Sequence, residues 1–381
     1  MTTIRTEDLK AGQRFDKPVF IDDSNVLVPE NVPIREKDLL RLQKWNITEV
    51  TTEGRVIATD EEGPQDPFLQ QALKTPETKE VIKTYNELRA RLGAIHEQVR
   101  AQDPVDTTEI DGIIDKVLQT LDHHKPQVIE FILYGFQGQA GYVENALNCA
   151  FLSVLVGQHL NLPKHKLLHL ATAALLHDIG MHRLPTRILN KEGKLSPEEA
   201  QLVRTHPIHS YKIITREMKY PEQVGLAALQ HQERWDGEGY PKRIAGQNII
   251  LPARVIAVVD SFEAMVSNRP YRSSMIGYAA MRALLSDNAR RFDPDVLKVF
   301  IRTMGIYPIG SIVLLNNGAI GRVLENNPEA PLKPRVKIMI NEHGREYRND
   351  EGEIIELSRD KRLFIAKAVD PKDIGDDRTT A

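Results

Sequence analysis

Between Pro126 and Gly305, apolar residues recur at the three- and four-residue spacing of one amphipathic helix after another. The segment Asn145–Leu160 carries one such stripe, and Lys164–His177 carries the next. The two stripes consist of Leu147, Phe151, Val154 and Leu155, and of Leu167, Leu170, Ala171, Ala174 and Leu175. Helices with one apolar face bury that face by packing on other elements. The long helical stretch therefore predicts a mostly α protein.

Proline and capping residues mark helix boundaries inside this stretch. Ser196, followed by Pro197 and Glu199, predicts a helix start, because serine can cap the first turn and glutamate can cap the serine backbone in return. Pro221 is predicted to open the next helix. The apolar run Arg254–Val259 fits a buried strand and a buried helix equally well.

The two ends of the chain have other patterns. Residues 1–60 predict a small α+β region with a helix at Glu36–Trp45. Its strands are predicted at Phe15–Phe20, Asn25–Pro29 and Ile47–Thr51, with a turn at Asp22–Ser24. After Pro308, runs separated by Asn-Asn-Gly and proline-rich turns predict a small, barrel-like β module. Its strands are predicted at Ser311–Leu315, Ile320–Leu324 and Val336–Ile340.

Two segments with apolar seams follow a linker at Glu61–Pro67. The first seam consists of Val81, Tyr85, Leu88, Leu92, Ile95 and Val99, and the second of Ile110, Ile114, Val117 and Leu121. Two interpretations are open. The segments can form an intramolecular helical hairpin, or the first seam can pair with a second chain, giving a homodimer through residues 81–99.

These patterns divide the chain into five parts. Residues 1–60 are an accessory region, 61–125 the linker and hairpin, 126–306 the helical domain, 307–369 the β module, and 370–381 a disordered tail.

The composition excludes several classes of protein. Lysine and arginine number 50 against 53 aspartate and glutamate, a net charge of −3, so no basic stripe predicts binding of a nucleic acid polymer. Cys149 is the single cysteine, so neither a disulfide framework nor a thiolate metal site is expected. The start lacks the apolar core of a signal peptide, and the uncharged stretch 145–163 is too polar to span a membrane. We therefore expect a cytoplasmic protein without a membrane partner.

Histidines are concentrated in one part of the chain. Eight of the 12 fall between His159 and His231, which raises the expectation of a metal site. His177 and Asp178 end an apolar helix, and the spacing of His206 and His231 from apolar residues directs both toward the core. Asp260 ends another apolar run, and a buried carboxylate without a partner is costly. A shared metal ion would explain why all five side chains are directed toward the core. The alternative is that the histidines are hydrogen-bonded core residues and the aspartate is a helix cap.

Two loops offer contacts for a ligand. Arg234–Pro241 is a tight loop with two glycines and a proline, in which Tyr240 can stack or donate a hydrogen bond. Asn268–Arg272 carries two guanidinium groups suited to phosphate oxygens.

Together these motifs resemble the HD-GYP domain, a branch of the HD metal-dependent phosphohydrolases that hydrolyses cyclic di-GMP. The resemblance covers about residues 142–307 and implies an all-helical domain with two or three ions, often iron or manganese. The residues that match metal ligands are His177, Asp178, His206, His231 and Asp260, with Asp178 bridging two ions and the His177–Asp178 pair at the catalytic centre. Gly239, Tyr240 and Pro241 match the loop beside the substrate, and Arg269 and Arg272 match phosphate contacts.

Four family positions differ. Asn145 and Gln232 replace histidines, Gly141 replaces a glutamate of the three-ion members, and Met181 replaces a lysine near the scissile phosphate. Amide oxygens are harder donors than imidazole, so Asn145 and Gln232, as weak ligand candidates, favour Mg²⁺ or Mn²⁺ over zinc or iron. We expect one or two divalent ions (Mn, Fe or Mg) and no third. One site is predicted to use His177, Asp178 and Asp260, and the other Asp178, His206 and His231.

Three functions follow as hypotheses. The first is a cyclic di-GMP phosphodiesterase with reduced activity that yields pGpG or GMP. The second is an inactive receptor that binds cyclic di-GMP or a protein partner and passes on a signal. The third, hydrolysis of another nucleotide, is disfavoured by the Tyr240-Pro241 loop. The remaining clustered histidines are expected to be ordinary residues, with His182 in a solvated loop; they are His159, His165, His169, His182 and His209.

Overall fold

The computed structural model describes most of the chain in two compact units, residues 1–67 and 68–381. The described residues are 2–10, 13–21, 25–28, 34, 36–45, 47–58, 75–135, 141–189, 191, 193–267, 276–286, 290–347 and 351–369. The predicted turn at Asp22–Ser24, the linker at Glu61–Pro67, the loop at Asn268–Arg272 and the tail 370–381 lie outside them. Within these ranges, none of the helices has the length and hydrophobicity required to cross a bilayer.

The first unit is the predicted α+β region. Its helix is α1 (Glu36–Lys44), and its strands are β1 (Thr2–Arg5), β2 (Arg14–Phe15), β3 (Val19–Phe20), β4 (Val26–Val28), β5 (Glu49–Thr52) and β6 (Val56–Ala58). An antiparallel sheet has the order β1-β5-β3-β4, and β2 pairs with β6. The prediction of one strand over Phe15–Phe20 was wrong, because the segment divides between the two sheets. Pro18, which has no N–H to donate to a ladder, stands at the division.

The second unit begins with two long antiparallel helices, α2 (Pro76–Ala101) and α3 (Thr107–Glu130). Thr75 caps α2, Asp106 caps α3, and α3 is kinked at His124, two residues before Pro126. Both seams are buried in the chain's own core, including Leu92 at 0% exposure and Val117 at 0%. The seams therefore form the intramolecular hairpin and are not available to a second chain. A homodimer through residues 81–99 stays a prediction.

The remaining described helices follow along the chain, and most of them pack around the same core. They are α4 (Tyr142–His159), α5 (Lys164–Leu176), α6 (Thr186–Leu189), α7 (Pro197–Val203), α8 (His206–Lys212), α9 (Glu222–Gln230), α10 (Leu251–Val266), α11 (Gly277–Ser286) and α12 (Pro294–Met304). Ser196 and Glu199 form the predicted capping box of α7, and Pro221 caps α9. The ambiguous run Arg254–Val259 lies inside α10. The mostly α prediction is confirmed.

The chain then forms a five-stranded antiparallel sheet. Its strands are β7 (Ile312–Leu315), β8 (Ile320–Glu325), β9 (Arg335–Ile340), β10 (Ile354–Glu356) and β11 (Ile365–Val369), in the order β10-β9-β8-β7-β11. The first three match the predicted strands, and the last two were not predicted. Stacked rings of Tyr278 and Tyr307 and an ion pair of Arg322 with Glu130 connect this module to the helices.

Candidate metal centre

The position of Asp178 depends on an unusually close contact between two backbone segments. Helix α5 ends at Leu176, and the chain continues through a 3-10 turn at Ile179–Arg183. A Cβ atom on Gly180 would lie 2.2 Å from the carbonyl oxygen of His206 and 2.4 Å from the backbone nitrogen of Ser210. Only glycine allows this approach of the turn to α8. The structural role of Gly180 is therefore this close contact.

The three predicted histidine ligands share one local geometry. Each Nδ1 atom lies within hydrogen-bond distance of the carbonyl oxygen three residues earlier: 2.8 Å for His177 to Ala174, 2.7 Å for His206 to Val203, and 2.7 Å for His231 to Ala228. Such a bond makes Nδ1 the donor and leaves Nε2 with its lone pair for a ligand. The same backbone arrangement thus fixes Nδ1 as the donor to the backbone in all three rings and turns Nε2 toward the site.

All three Nε2 atoms point toward Asp178. Its Oδ1 lies 3.0 Å from Nε2 of His206 and 3.3 Å from Nε2 of His231, while its Oδ2 lies 3.7 Å from Nε2 of His177. Oδ1 of Asp260 also lies 3.7 Å from Nε2 of His177. The structure therefore brings all five residues together, with Asp178 at the centre.

The pKa values of the clustered carboxylates and imidazoles are shifted by burial and by one another. Burial opposes ionisation of Asp178, but the imidazoles of His177 and His206 hold its pKa well below the usual range. Burial likewise opposes protonation of His177, but Asp178 and Asp260 raise its pKa to about 9. Burial lowers the pKa of His231. Two ionised carboxylates next to imidazoles form a site that favours a cation.

Asn145 takes part in a buried network with the carboxylates. Its Nδ2 donates to Oε2 of Glu263 at 2.6 Å and to Oδ1 of Asp260 at 3.1 Å. Asn148 donates to the other oxygen of Glu263 and accepts from the hydroxyl of Tyr85 at 2.8 Å. Helix α2 is thereby connected through α4 to the metal-site carboxylate on α10.

The donor set fits a divalent ion. Ligand atoms of His177, Asp178 and His231 all lie within 4.8 Å of one another. Nε2 of His177, Oδ1 of Asp178 and Oδ1 of Asn145 are buried without a hydrogen bond, which is costly unless a ligand satisfies them. Imidazole and carboxylate together suit transition metals and Mn²⁺.

The loop Arg234–Pro241 folds back so that the residues after it contact Glu233, the residue before it. Glu233, 3% exposed, accepts from the backbone nitrogens of Lys242 at 2.6 Å and Ile244 at 3.2 Å. A Cβ on Gly239 would lie 2.4 Å from the backbone nitrogen of Arg234, so glycine is required there. Tyr240 lies next to the metal centre, with its ring centroid 6.3 Å from that of His206.

A cleft of about 300 Å³ opens at this loop, with His231 and Asp260 in its wall. Gln232, Gly239 and Tyr240 also line it. The cleft also contains Arg234 of the predicted loop and two arginines that the sequence did not single out, Arg204 and Arg291. Arg204 lies over the ring of Tyr240 at 5.7 Å, and Arg234 is paired with Asp236 at 2.7 Å. Single arginines far apart in the sequence carry no signal of a shared cleft.

The other predicted site residues have mixed outcomes. Pro241 follows Tyr240 in the loop, Arg269 and Arg272 lie outside the described residues, and Met181 is buried. The expectation of a solvated His182 was wrong. It is 8% exposed, and its Nε2 lies 2.8 Å from Nδ1 of His96, because α2 covers the turn.

Comparison with known proteins agrees with this architecture. The HD domain family matches residues 141–296, and a KOW domain associated with HD domains matches residues 312–377. A protein of Pseudomonas aeruginosa named cyclic di-GMP phosphodiesterase PA4108 is 31% identical over 278 residues, which cover 73% of this chain and 67% of the relative. The Borreliella burgdorferi cyclic di-GMP phosphodiesterase PdeB is 25% identical, with 84% of each chain covered.

Among solved structures, Bd1817, an HDG"Y"P protein of Bdellovibrio bacteriovorus, aligns with a TM-score of 0.48 and 16% identity, covering 78% of this chain and 97% of Bd1817. The match to the HD family, the similarity to PA4108 and the His-Asp cluster beside a Gly-Tyr-Pro loop lead to one assignment. The chain belongs to the HD-GYP family of HD-domain proteins.

Proposed function

We propose that this protein is a metal-dependent phosphodiesterase that opens cyclic di-GMP to the linear dinucleotide pGpG, with GMP as a further product. The convergence of three Nε2 atoms on Asp178, beside a cleft lined by arginines, carries the proposal. The names of PA4108 and PdeB support the choice of substrate.

The ion would be held by His177, Asp178, His206, His231 and Asp260. A divalent ion bound there would supply positive charge for the phosphate and lower the pKa of the attacking water. We assign one or two ions, with Mn²⁺, Fe²⁺ or Mg²⁺ as the candidates. Asn145 and Gln232, the latter in the wall of the cleft, are weak ligand candidates.

The chain's own residues bind and orient the substrate. Arg204 and Arg291 would hold the phosphate charge within the cleft, as bidentate guanidinium contacts do for phosphates. Arg269 and Arg272 are proposed to add further phosphate contacts. Tyr240 presents a ring on which a guanine base can stack. The carboxylate of Asp178, which lies between the imidazoles, would hold the metal ion, and the positive charge of that ion would face the phosphate.

The proposal is tested by incubating the full chain with cyclic di-GMP and Mn²⁺, Fe²⁺ or Mg²⁺ under reducing conditions and separating the products. We expect pGpG. Two relatives in Vibrio cholerae are named 3'3'-cGAMP-specific phosphodiesterases, so 3'3'-cGAMP is a useful second substrate. Absence of turnover of cyclic di-GMP with all three ions would overturn the proposal.

A second candidate is a receptor that binds cyclic di-GMP without cleaving it. Met181, where the family has a lysine near the scissile phosphate, favours it, because a thioether offers neither charge nor a proton. Loss of one such electrostatic group costs about 10²–10³ in rate. Calorimetry that detects binding without turnover would support the receptor. The variant Asn145→His/Met181→Lys/Gln232→His should then gain turnover.

A further inference from the structure

The one cysteine of the chain lies inside the metal centre. Cys149 is on α4 and is fully buried. Its Sγ atom, a ligand nitrogen of His177 and a carboxylate oxygen of Asp260 all lie within 4.8 Å of one another. Donors bind a borderline ion at about 2.0–2.3 Å, so two donors that share one ion lie within about 4.6 Å. The separations of the three atoms, all within 4.8 Å, are therefore close to those of donors that share one ion.

A separate observation, made on His177, indicates that a ligand binds beside Cys149. His177 is 0% exposed, its Nδ1 atom is engaged with the carbonyl of Ala174, and its Nε2 atom is buried without a hydrogen bond. This nitrogen, which makes no hydrogen bond, lies 3.7 Å from Oδ1 of Asp260, and it belongs to the same set of atoms as the sulfur.

The neighbouring side chain on α4 is engaged with carboxylates. Asn145 lies four residues before Cys149, so both occupy one face of α4. The amide nitrogen of Asn145, rather than its oxygen, faces Asp260, and it also donates to Glu263. Asn145 is thus held by carboxylates at the point where the family has a histidine ligand.

We propose that Cys149 is a further metal ligand, acting with His177 and Asp260. This inference rests on the metal centre of the proposed function and deepens it. On binding, the thiol releases its proton to solvent, and the thiolate sulfur coordinates the ion. A soft sulfur donor favours Fe²⁺, Co²⁺ and Zn²⁺ over Mg²⁺ and Mn²⁺, which reverses the preference expected from Asn145 and Gln232.

Cobalt provides a readout that is independent of catalysis. The metal-free full chain is titrated with Co²⁺ while the near-ultraviolet thiolate-to-cobalt charge-transfer band and the visible d–d bands are recorded. We expect both in the unaltered protein. In Cys149→Ala and Cys149→Ser, the d–d bands should remain and the charge-transfer band should vanish. The preference for Zn²⁺ over Mn²⁺, measured by competition, should fall roughly tenfold or more.

The outcomes separate this inference from the proposed function. Cobalt d–d bands without a charge-transfer band in the unaltered protein overturn the ligand role of Cys149, even if cyclic di-GMP is hydrolysed. A charge-transfer band that disappears in both variants supports the role, even if hydrolysis fails. An unchanged ratio of Zn²⁺ to Mn²⁺ affinity in Cys149→Ala also contradicts it. Far-ultraviolet circular dichroism verifies that both variants are folded.

Discussion

Nδ1 of His96 and Nε2 of His182 lie 2.8 Å apart in the protein interior, which connects the hairpin helix α2 to the turn that follows Asp178. Burial and the neighbouring His182 lower the pKa of His96 to about 3, and burial lowers the pKa of His182. Both rings are therefore neutral at neutral pH, and one donates to the other. Through this contact, α2 of the hairpin packs directly on the turn that follows Asp178.

This pair predicts a loss of stability in acid. In the unfolded chain an imidazole takes up a proton near pH 6.5, whereas folded His96 does so only near pH 3, so protons favour the unfolded state as the pH falls through this window. Between pH 7 and pH 5, the titration of His96 should lower the free energy of unfolding by about 2 kcal/mol. His96→Gln, which keeps a neutral hydrogen-bonding group, should lack this part of the loss.

The measurement is urea unfolding followed by tryptophan fluorescence at both pH values. Replacing Trp45 with phenylalanine in both proteins leaves Trp235 as the reporter of the helical unit. An equal loss of stability between pH 7 and pH 5 in the two proteins would contradict the assignment.

Asp178→Asn should abolish metal binding while preserving the fold. The amide keeps the shape of the side chain but removes the charge toward which three imidazoles point. Elemental analysis should show metal in the unaltered protein and none in the variant. An ion at 100 times its Kd stabilises a fold by about 2.7 kcal/mol, so a chelator should lower the Tm of the unaltered protein alone. His165→Ala, at an exposed position of α5, is the control and should retain its metal.

Arg204→Met and Arg291→Met should each weaken substrate binding about tenfold, because each loses a charged hydrogen bond at a partly solvated position. We expect the change mainly in KM for cyclic di-GMP, with metal content unaltered. Arg216→Met, an exposed arginine outside the cleft, is the matched control. If both cleft variants have the same KM as the control variant, these arginines do not bind the substrate.

Gly180→Ala and Gly93→Ala form an opposed pair. A Cβ at position 180 would meet backbone atoms at 2.2 and 2.4 Å, so we expect a loss of about 3 kcal/mol and weaker metal binding as the turn moves off α8. At position 93, inside α2, a Cβ meets nothing within 4 Å. Alanine there should add about 1 kcal/mol through its helix propensity. Thermal unfolding and metal titration check both; equal stabilities would refute the close-contact explanation of Gly180.

The direction of the histidines could be predicted because a helix repeats its faces. His231 follows Ala228 by three residues at the end of α9, so the core-facing stripe of one helix predicted its direction. His206 also points into the site, but the reason differs from the predicted shared helix face, because Val203 ends α7 and His206 begins α8. The Nδ1 contacts to the carbonyls of Val203 and Ala228 span three residues in both cases.

Contacts between distant segments could not be predicted in this way. His182 was expected in solvent because nothing near it in the sequence indicates that His96, 86 residues earlier, covers it. Arg204 and Arg291 share a cleft only because α8 and α12 begin on either side of it. The apolar seam of α2 was ambiguous for the same reason, since a stripe fits a partner from the same chain or from another.

The sequence by itself determined the helical architecture, because apolar spacing along each helix encodes it, and it identified the residues around Asp178 because their motifs match those of a known family. Tertiary structure decided that the hairpin closes on its own chain, that Gly180 serves a close backbone approach, and that Cys149 lies beside His177 and Asp260. Each of these depends on distances between segments far apart in the chain, which packing sets and residue spacing does not encode.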